Sequence, residues 1–416
     1  MTLNHGRHTL AIPGPSIMPD RVMQAMHRAA PNIYTGELID LAATLVPDLK
    51  AVARTKHKVA MYIGNGHAAW EASLVNVLAT GDTVLVPATG NFSHGWAGMA
   101  ERLGITTQVI EFGRRSALDP ALVAEALDAD KSHKIKAVLC VQTDTATSAK
   151  SDVAALRSAI DATGHPALLM VDCIACLGCD EMQMDDWGVD VMVAGCQKGL
   201  MTPPGMSFVF FNDKAAEIRA KMERVSSYWD WTPRADPEQF YQYWCGTAPT
   251  HHLYGLRVAL DMIVHEEGLE AVWARHATLA RAVWAAFEAW EVGGPLELNL
   301  ANRAIRSNAV TSVRIGAPTG TQLRNWLTEQ AGVTLGIGLG MATEEDPQSD
   351  GFFRVGHMGH LNSHMLLGTL GSIQAGLNAL QIPHGGGALE AAAQVCAAGA
   401  DDTADLTVGA SGSCCG

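Results

Sequence analysis

A lysine set between a buried strand and a turn of glycines and prolines stands out first. It lies in Val191-Met-Val-Ala-Gly-Cys-Gln-Lys198-Gly-Leu-Met-Thr-Pro-Pro-Gly205. Lysines normally keep their amines in water on helix faces. An amine partly withdrawn from water deprotonates more readily, and only the free amine attacks a carbonyl. One βα unit upstream, Asp172 closes the apolar run Ala167-Leu-Leu-Met-Val. An acid at a strand's carboxyl end points into the crevice where open α/β sheets bind ligands. Further upstream, Tyr62-Ile-Gly64-Asn65-Gly66-His67-Ala-Ala-Trp-Glu reads as a strand, a glycine turn and a helix. The free amides and positive helix end of such a turn suit a phosphate. No Gly-Lys-Ser/Thr follows, so it is not a Walker loop. Each feature alone has a plainer reading: a loop lysine, a capping aspartate, an ordinary glycine turn.

Together the three suit pyridoxal phosphate. Its aldehyde takes a lysine amine, and its ring nitrogen needs an anion to stay protonated, so that the ring acts as an electron sink. Other signals carry less. Cys173-x-x-Cys176-x-x-Cys179 invites a metal reading, but no further Cys/His pair with finger spacing follows. Core packing is the better account, and no metal is expected. Gly336-Ile-Gly338-Leu-Gly340 resembles a dinucleotide turn, yet Met341 replaces its third glycine, and a flexible loop fits better. His67, His94, His357 and His360 are candidate bases, although the freed amine of Lys198 already fills that role. The Cys414-Cys415 pair is read as part of a frayed end.

The elements that must hold these groups form an alternation between residues 55 and 211. Short apolar runs at 59–63, 83–87, 107–112, 137–142, 167–172, 189–194 and 207–211 interleave with helical patterns at 66–78, 94–103, 120–128 and 152–162. That order predicts an α/β domain with a mostly parallel sheet. Aromatic, irregular sequence follows at 225–250, then helices at 251–265 and 269–290, then mixed segments with strands at 308–314 and 351–355. The expected division is an N-terminal arm at 1–20, a large cofactor-binding domain at 21–265, a smaller C-terminal α/β domain at 266–395, and a tail at 396–416. Composition agrees with a large interior: 48% of the 416 residues are hydrophobic and 17% charged. A net charge of −14 argues against nucleic acid and anionic membrane as partners. No apolar run is long enough to span a bilayer, and the opening residues lack a signal core. Nine scattered cysteines argue for a reducing, cytoplasmic setting.

The Lys198 segment, Asp172, the Gly-Asn-Gly-His turn and the opening Ile12-Pro-Gly-Pro-Ser16 resemble class V aminotransferases, in the alanine–glyoxylate and serine–glyoxylate subgroup. The likeness runs in order from about residue 10 to 390. It implies a fold-type I pyridoxal-phosphate transferase, working as a homodimer with shared active sites. By that resemblance Lys198 carries pyridoxal 5'-phosphate as a Schiff base and moves the proton, while Asp172 faces the ring nitrogen. Asn65, Gly66 and His67 would bind the phosphate with Gln197 beside them. Phe92 would stack on the ring, Thr145 lie near the phenolic oxygen, and Trp244 and Thr247 reach the neighbouring subunit's phosphate. Arg354, in Phe-Arg-Val-Gly-His-Met-Gly, would clamp the substrate carboxylate with Tyr34 and His357 nearby; a planar fork suits that task. Four positions depart from the pattern: Trp244 where tyrosine is usual, Ser148 for a glycine, Gly95 for an arginine, and Asn32-Ile-Tyr34 at the substrate mouth.

The expected function is transamination from a small amino acid, such as serine or alanine, to glyoxylate or pyruvate. A single arginine clamp favours small 2-oxo acid and amino acid substrates. The alternatives are a pyridoxamine–pyruvate aminotransferase or lyase of the same fold, and a non-catalytic binding protein built on it.

Overall fold

The computed structural model describes residues 2–399. Its larger sheet has seven strands in the order Lys58–Gly64, Gly205–Phe211, Val191–Gly195, Leu168–Asp172, Ile135–Val141, Thr83–Ala88, Thr106–Glu111. Gly205–Phe211 runs antiparallel to both neighbours, and every other pairing in this sheet is parallel. Alternate residues of the central strands serve opposite faces. Val138, Cys140, Leu169 and Val171 join one core with helices Glu37–Ala53, Pro120–Ala129, Val153–Thr163 and Thr250–Leu260. Ala137, Leu139, Leu168 and Met170 join the other, beneath helices Gly66–Val77 and Asn91–Arg102. Burial on both faces is why these strands read as unbroken apolar runs. Thr106–Glu111, at the sheet edge, is the exception and is largely exposed.

The smaller sheet has the order Thr9–Ala11, Val333–Ile337, Phe352–Gly356, Val310–Arg314, Glu297–Leu298. Thr9–Ala11, within the segment expected as an N-terminal arm, pairs in parallel with Val333–Ile337 at this sheet's edge. The helix Leu269–Glu291 belongs to both halves: Leu269 and Val272 pack into the large core, and Leu279 onward into the small one. The pattern expected as one helix over 251–265 is Thr250–Leu260 followed by a π-helical turn, Asp261–Glu267, ending at Gly268 with φ of 84°. Only glycine takes that conformation cheaply. The helix Ala388–Ala398 continues past 395, where a frayed tail was expected to start. Cys414 and Cys415 lie outside the described residues. Among the described residues, no helix is long and apolar enough to cross a membrane.

Candidate active site

Lys198 leaves the end of the strand Val191–Gly195 and meets the N-terminal segment. Ser16 Oγ donates to the Lys198 carbonyl at 2.7 Å, and the Ser16 amide to the Gln197 carbonyl at 2.8 Å. Lys198 Nζ donates to the Pro13 carbonyl. Gly14, at φ of 96°, has no room for a side chain: a Cβ there would sit 2.4 Å from Lys198 Cδ and 2.6 Å from Nζ. Gly359 closes the opposite side, where a Cβ would lie 3.1 Å from the Lys198 carbonyl oxygen. Burial of the amine lowers its pKa to about 8; Arg354 adds to the effect, while Asp172 and Cys179 oppose it. A lysine so placed is partly free base at neutral pH.

Asp172 is 3% exposed at the end of its strand. Its Oδ2 accepts the Trp70 indole N–H at 2.8 Å, and its Oδ1 the Ile174 amide at 2.7 Å. Burial raises the carboxyl to about 7, against the pull of the Ile174 and Trp70 hydrogen bonds; Asp144 pushes it further up and Lys198 draws it down. The structure thus brings lysine and acid within electrostatic reach, each held away from water.

The glycine turn begins the helix Gly66–Val77. Asn65 Oδ1 caps it, accepting the amides of His67 at 3.1 Å and Ala68 at 3.4 Å. Gly66 packs on Ile174, two residues past Asp172; a Cβ there would lie 2.4 Å from Ile174 Cδ1. His67 is tilted against Trp70 at 4.6 Å, and Phe92 meets the same indole edge-on at 6.2 Å. Phe92 is oriented by Asp144, whose Oδ2 accepts the Phe92 amide at 2.7 Å. That carboxylate caps the helix Asn91–Arg102 and is fully buried. Gln197 Oε1 is buried without a hydrogen-bond partner, as is Thr89 Oγ1.

Arg354 is 6% exposed on the strand Phe352–Gly356. Nε donates to the Ile337 carbonyl at 2.7 Å and Nη1 to the Thr145 carbonyl at 2.8 Å. Among the described residues no carboxylate pairs with it directly; Asp144 acts on it only through the field, and burial lowers its pKa to about 10. A desolvated guanidinium without a counter-ion is a place for an anionic ligand.

Four expected site residues have other surroundings than Lys198 and Asp172. His357 is fully buried, with Nδ1 at 2.9 Å from the Asn308 carbonyl and Nε2 at 2.9 Å from Thr311 Oγ1, so neither nitrogen is free for substrate. His357 lies just past the strand Phe352–Gly356, three residues from Arg354, an odd offset that along a strand puts side chains on opposite faces. Trp244 is 1% exposed inside the large core, where a bulky indole in place of a phenol is drawn into apolar packing. Tyr34, 82% exposed, lies on a surface loop, and Thr247 is exposed too. Two residues that the sequence did not single out belong here. Asp144 sits just past the strand Ile135–Val141, and the strand-end rule that found Asp172 applies equally to it. Trp70 carried no signal, being an apolar helix residue like its neighbours.

A seven-stranded mixed sheet joined to a smaller α/β domain, with a desolvated lysine and a strand-end acid between them, is the architecture of fold-type I aminotransferases. The chain belongs to the family Aminotransferase class-V, whose model matches residues 48–363. It is a transaminase. It is 36% identical to the serine–glyoxylate aminotransferase of Methylorubrum extorquens over 93% of this chain and 95% of that one. The L-aspartate–glyoxylate aminotransferase of Paracoccus denitrificans is 33% identical over 93% and 96%. The crystal structure of ureidoglycine–glyoxylate aminotransferase from Bacillus subtilis superimposes with a TM-score of 0.84 at 27% identity, covering 94% of this chain and 99% of that one.

Proposed function

We propose that the protein is a pyridoxal 5'-phosphate enzyme that moves the amino group of a small amino acid, such as serine or alanine, to glyoxylate or pyruvate. One observation carries the reading: Lys198 and Asp172 are both withdrawn from water, and among the described residues neither has a charged partner in direct contact. Isolated buried charges are costly, and a ligand with an electrophilic carbon and a basic ring nitrogen satisfies both.

The residues fit that cofactor. The Asn65 side-chain oxygen occupies helix-end amides that a phosphate oxygen would take over. Gln197 Oε1 is buried with no hydrogen-bond partner among the described residues, and turning that amide over would present its NH2 to a phosphate oxygen. Bound pyridoxal phosphate supplies an aldehyde for the amine and a ring that stabilises negative charge at the substrate α-carbon. Lys198 would hold the cofactor, and its amine would carry the proton from the substrate α-carbon to the former aldehyde carbon, two bonds away. Asp172 keeps the ring nitrogen protonated. Arg354 fixes the substrate carboxylate and so the direction of the α-proton; its bonds to the Ile337 and Thr145 carbonyls set the plane of the fork. A homodimer is part of the proposal, since Trp244 and Thr247 have their expected roles at the neighbouring subunit's phosphate, and Thr247 is exposed.

Borohydride treatment of the purified protein, then peptide mass mapping, tests the cofactor: a reduced pyridoxyl group is expected on Lys198 and on no other lysine. Mixing with single amino acids and following the cofactor spectrum tests the donors. Strong turnover of unphosphorylated pyridoxamine would instead support the pyridoxamine–pyruvate alternative. Unaltered function in Lys198→Ala would support a non-catalytic binding protein.

A further inference from the structure

One indole touches three parts of the proposed cofactor cradle: His67, Phe92 and Asp172. Trp70 is 1% exposed, stacked on Trp96 at 6.1 Å with 13° between the planes. It meets His67 of the phosphate turn and Phe92 of the expected ring-stacking position on its other edges. Gly95 leaves space for it: a Cβ there would lie 3.2 Å from the indole six-membered ring. Its single polar atom donates to Asp172 Oδ2 at 2.8 Å. The partner sits 102 positions away in sequence, at the end of the strand Leu168–Asp172, whereas Trp70 is on the helix Gly66–Val77.

Resting on the cofactor reading above, we propose that Trp70 is a positioning residue for Asp172: its indole N–H favours the ionised carboxylate and fixes it in plane before the cofactor's ring nitrogen arrives. The other side-chain oxygen of Asp172 accepts the backbone amide of Ile174, so among the described residues Trp70 provides its one side-chain hydrogen bond. The other ionisable groups acting on Asp172 do not replace it. Asp144 repels the negative form, and Lys198 attracts it from beyond ion-pair distance. The thiols of Cys140, Cys173 and Cys176 are buried and held neutral by burial. His67 meets Trp70 through its ring. Without the indole N–H, Asp172 keeps its proton at neutral pH and rotates more freely. The ring nitrogen then loses its counter-ion, and cofactor affinity falls. The phosphate and lysine contacts are untouched.

The test is the equilibrium dissociation constant of pyridoxal phosphate from the full-length protein near pH 7, followed by the cofactor's own absorbance. A parallel titration uses the analogue with carbon in place of the ring nitrogen. Trp70→Phe keeps most of the packing and removes the donor. Losing one hydrogen bond to a charged group should weaken the parent cofactor by about tenfold to a hundredfold. Binding of the analogue should be unchanged. Equal weakening of both compounds means Trp70 is only packing, and overturns the proposal. A second variant places benzothiophene at position 70, exchanging N–H for sulfur at constant shape; it must reproduce the selective loss, and wild-type affinity for both compounds overturns the proposal. A wild-type protein that takes up neither compound refutes the cofactor reading itself, and this inference with it.

Discussion

Replacing Arg354 by glutamine isolates the carboxylate clamp. Nε and Nη1 are already committed to the Ile337 and Thr145 carbonyls, which leaves the Nη2 edge and one Nη1 hydrogen for a ligand. Two hydrogen bonds from a guanidinium to a carboxylate contribute about 1.5–3 kcal/mol each. Glutamine returns about 1 kcal/mol as one neutral bond. The net loss is about 3 kcal/mol, roughly a hundredfold in rate or affinity. The assay is the donor half-reaction in single turnover, with serine and with ethanolamine, which has the same amine and hydroxyl but no carboxylate. Wild type should prefer serine by more than that factor, and Arg354→Gln should cut the preference about a hundredfold while leaving the slow ethanolamine rate alone. Arg354→Lys, which keeps charge but not the fork, should fall between them. If Arg354→Gln slows both amines alike, the arginine acts through the fold and the clamp is wrong. If it retains the serine preference, another cation binds the carboxylate.

Further outcomes follow from the same geometry. Cofactor uptake by cofactor-free protein needs Lys198 as free base and Asp172 ionised, so its rate should climb as pH rises through about 7 and about 8, then level off. An unperturbed lysine would keep the rate rising beyond about pH 10 in stopped-flow traces, which would contradict this. Gly14→Ala puts a methyl group onto the Lys198 side chain and costs about 1–2 kcal/mol of left-handed backbone strain, so the variant should purify with most of its cofactor lost while remaining folded by circular dichroism. The Cys173 and Cys176 thiols both donate to Gln142 Oε1, at 3.2 Å and 3.0 Å. Dialysis against a chelator should therefore change neither activity nor melting temperature; a drop restored by zinc would revive the metal reading.

The groups legible in the sequence share one property: each ends a strand whose neighbours are apolar. Lys198 and Asp172 could be found because polar residues at the mouth of a buried sheet are costly, and their cost has to be met by function or by partners. Asp144 obeys the same rule and was legible in principle, but the polar run Thr143–Thr147 hid it among turn residues. The remaining parts are long-range. The three residues Thr9–Ala11 carry no pattern that announces a strand, and their place is set by the open edge of Val333–Ile337. His276 reads as one more helix residue, yet its Nε2 accepts the Gly359 amide at 2.9 Å while Nδ1 lies 2.7 Å from the Val272 carbonyl. That arrangement requires the neutral ring, and burial enforces it by lowering the pKa to about 3.

These supports have a common direction. Ser16, Gly14 and Gly359 press on Lys198, Trp70 and Ile174 hold Asp172, Asp144 sets Phe92, and two carbonyls align Arg354. None of the supporting contacts uses the atom that would react: Asp172 keeps further lone pairs, and Arg354 keeps an unbonded edge. Lys198 is the exception, since its Nζ is tied to the Pro13 carbonyl. That bond must break when the amine attacks, and an amide carbonyl is a weak enough partner to be released. A carboxylate in place of the carbonyl would hold the amine protonated and silence it. The arrangement suits the proposed nucleophile better than an ion pair, and among the described residues no acid contacts Lys198 Nζ directly.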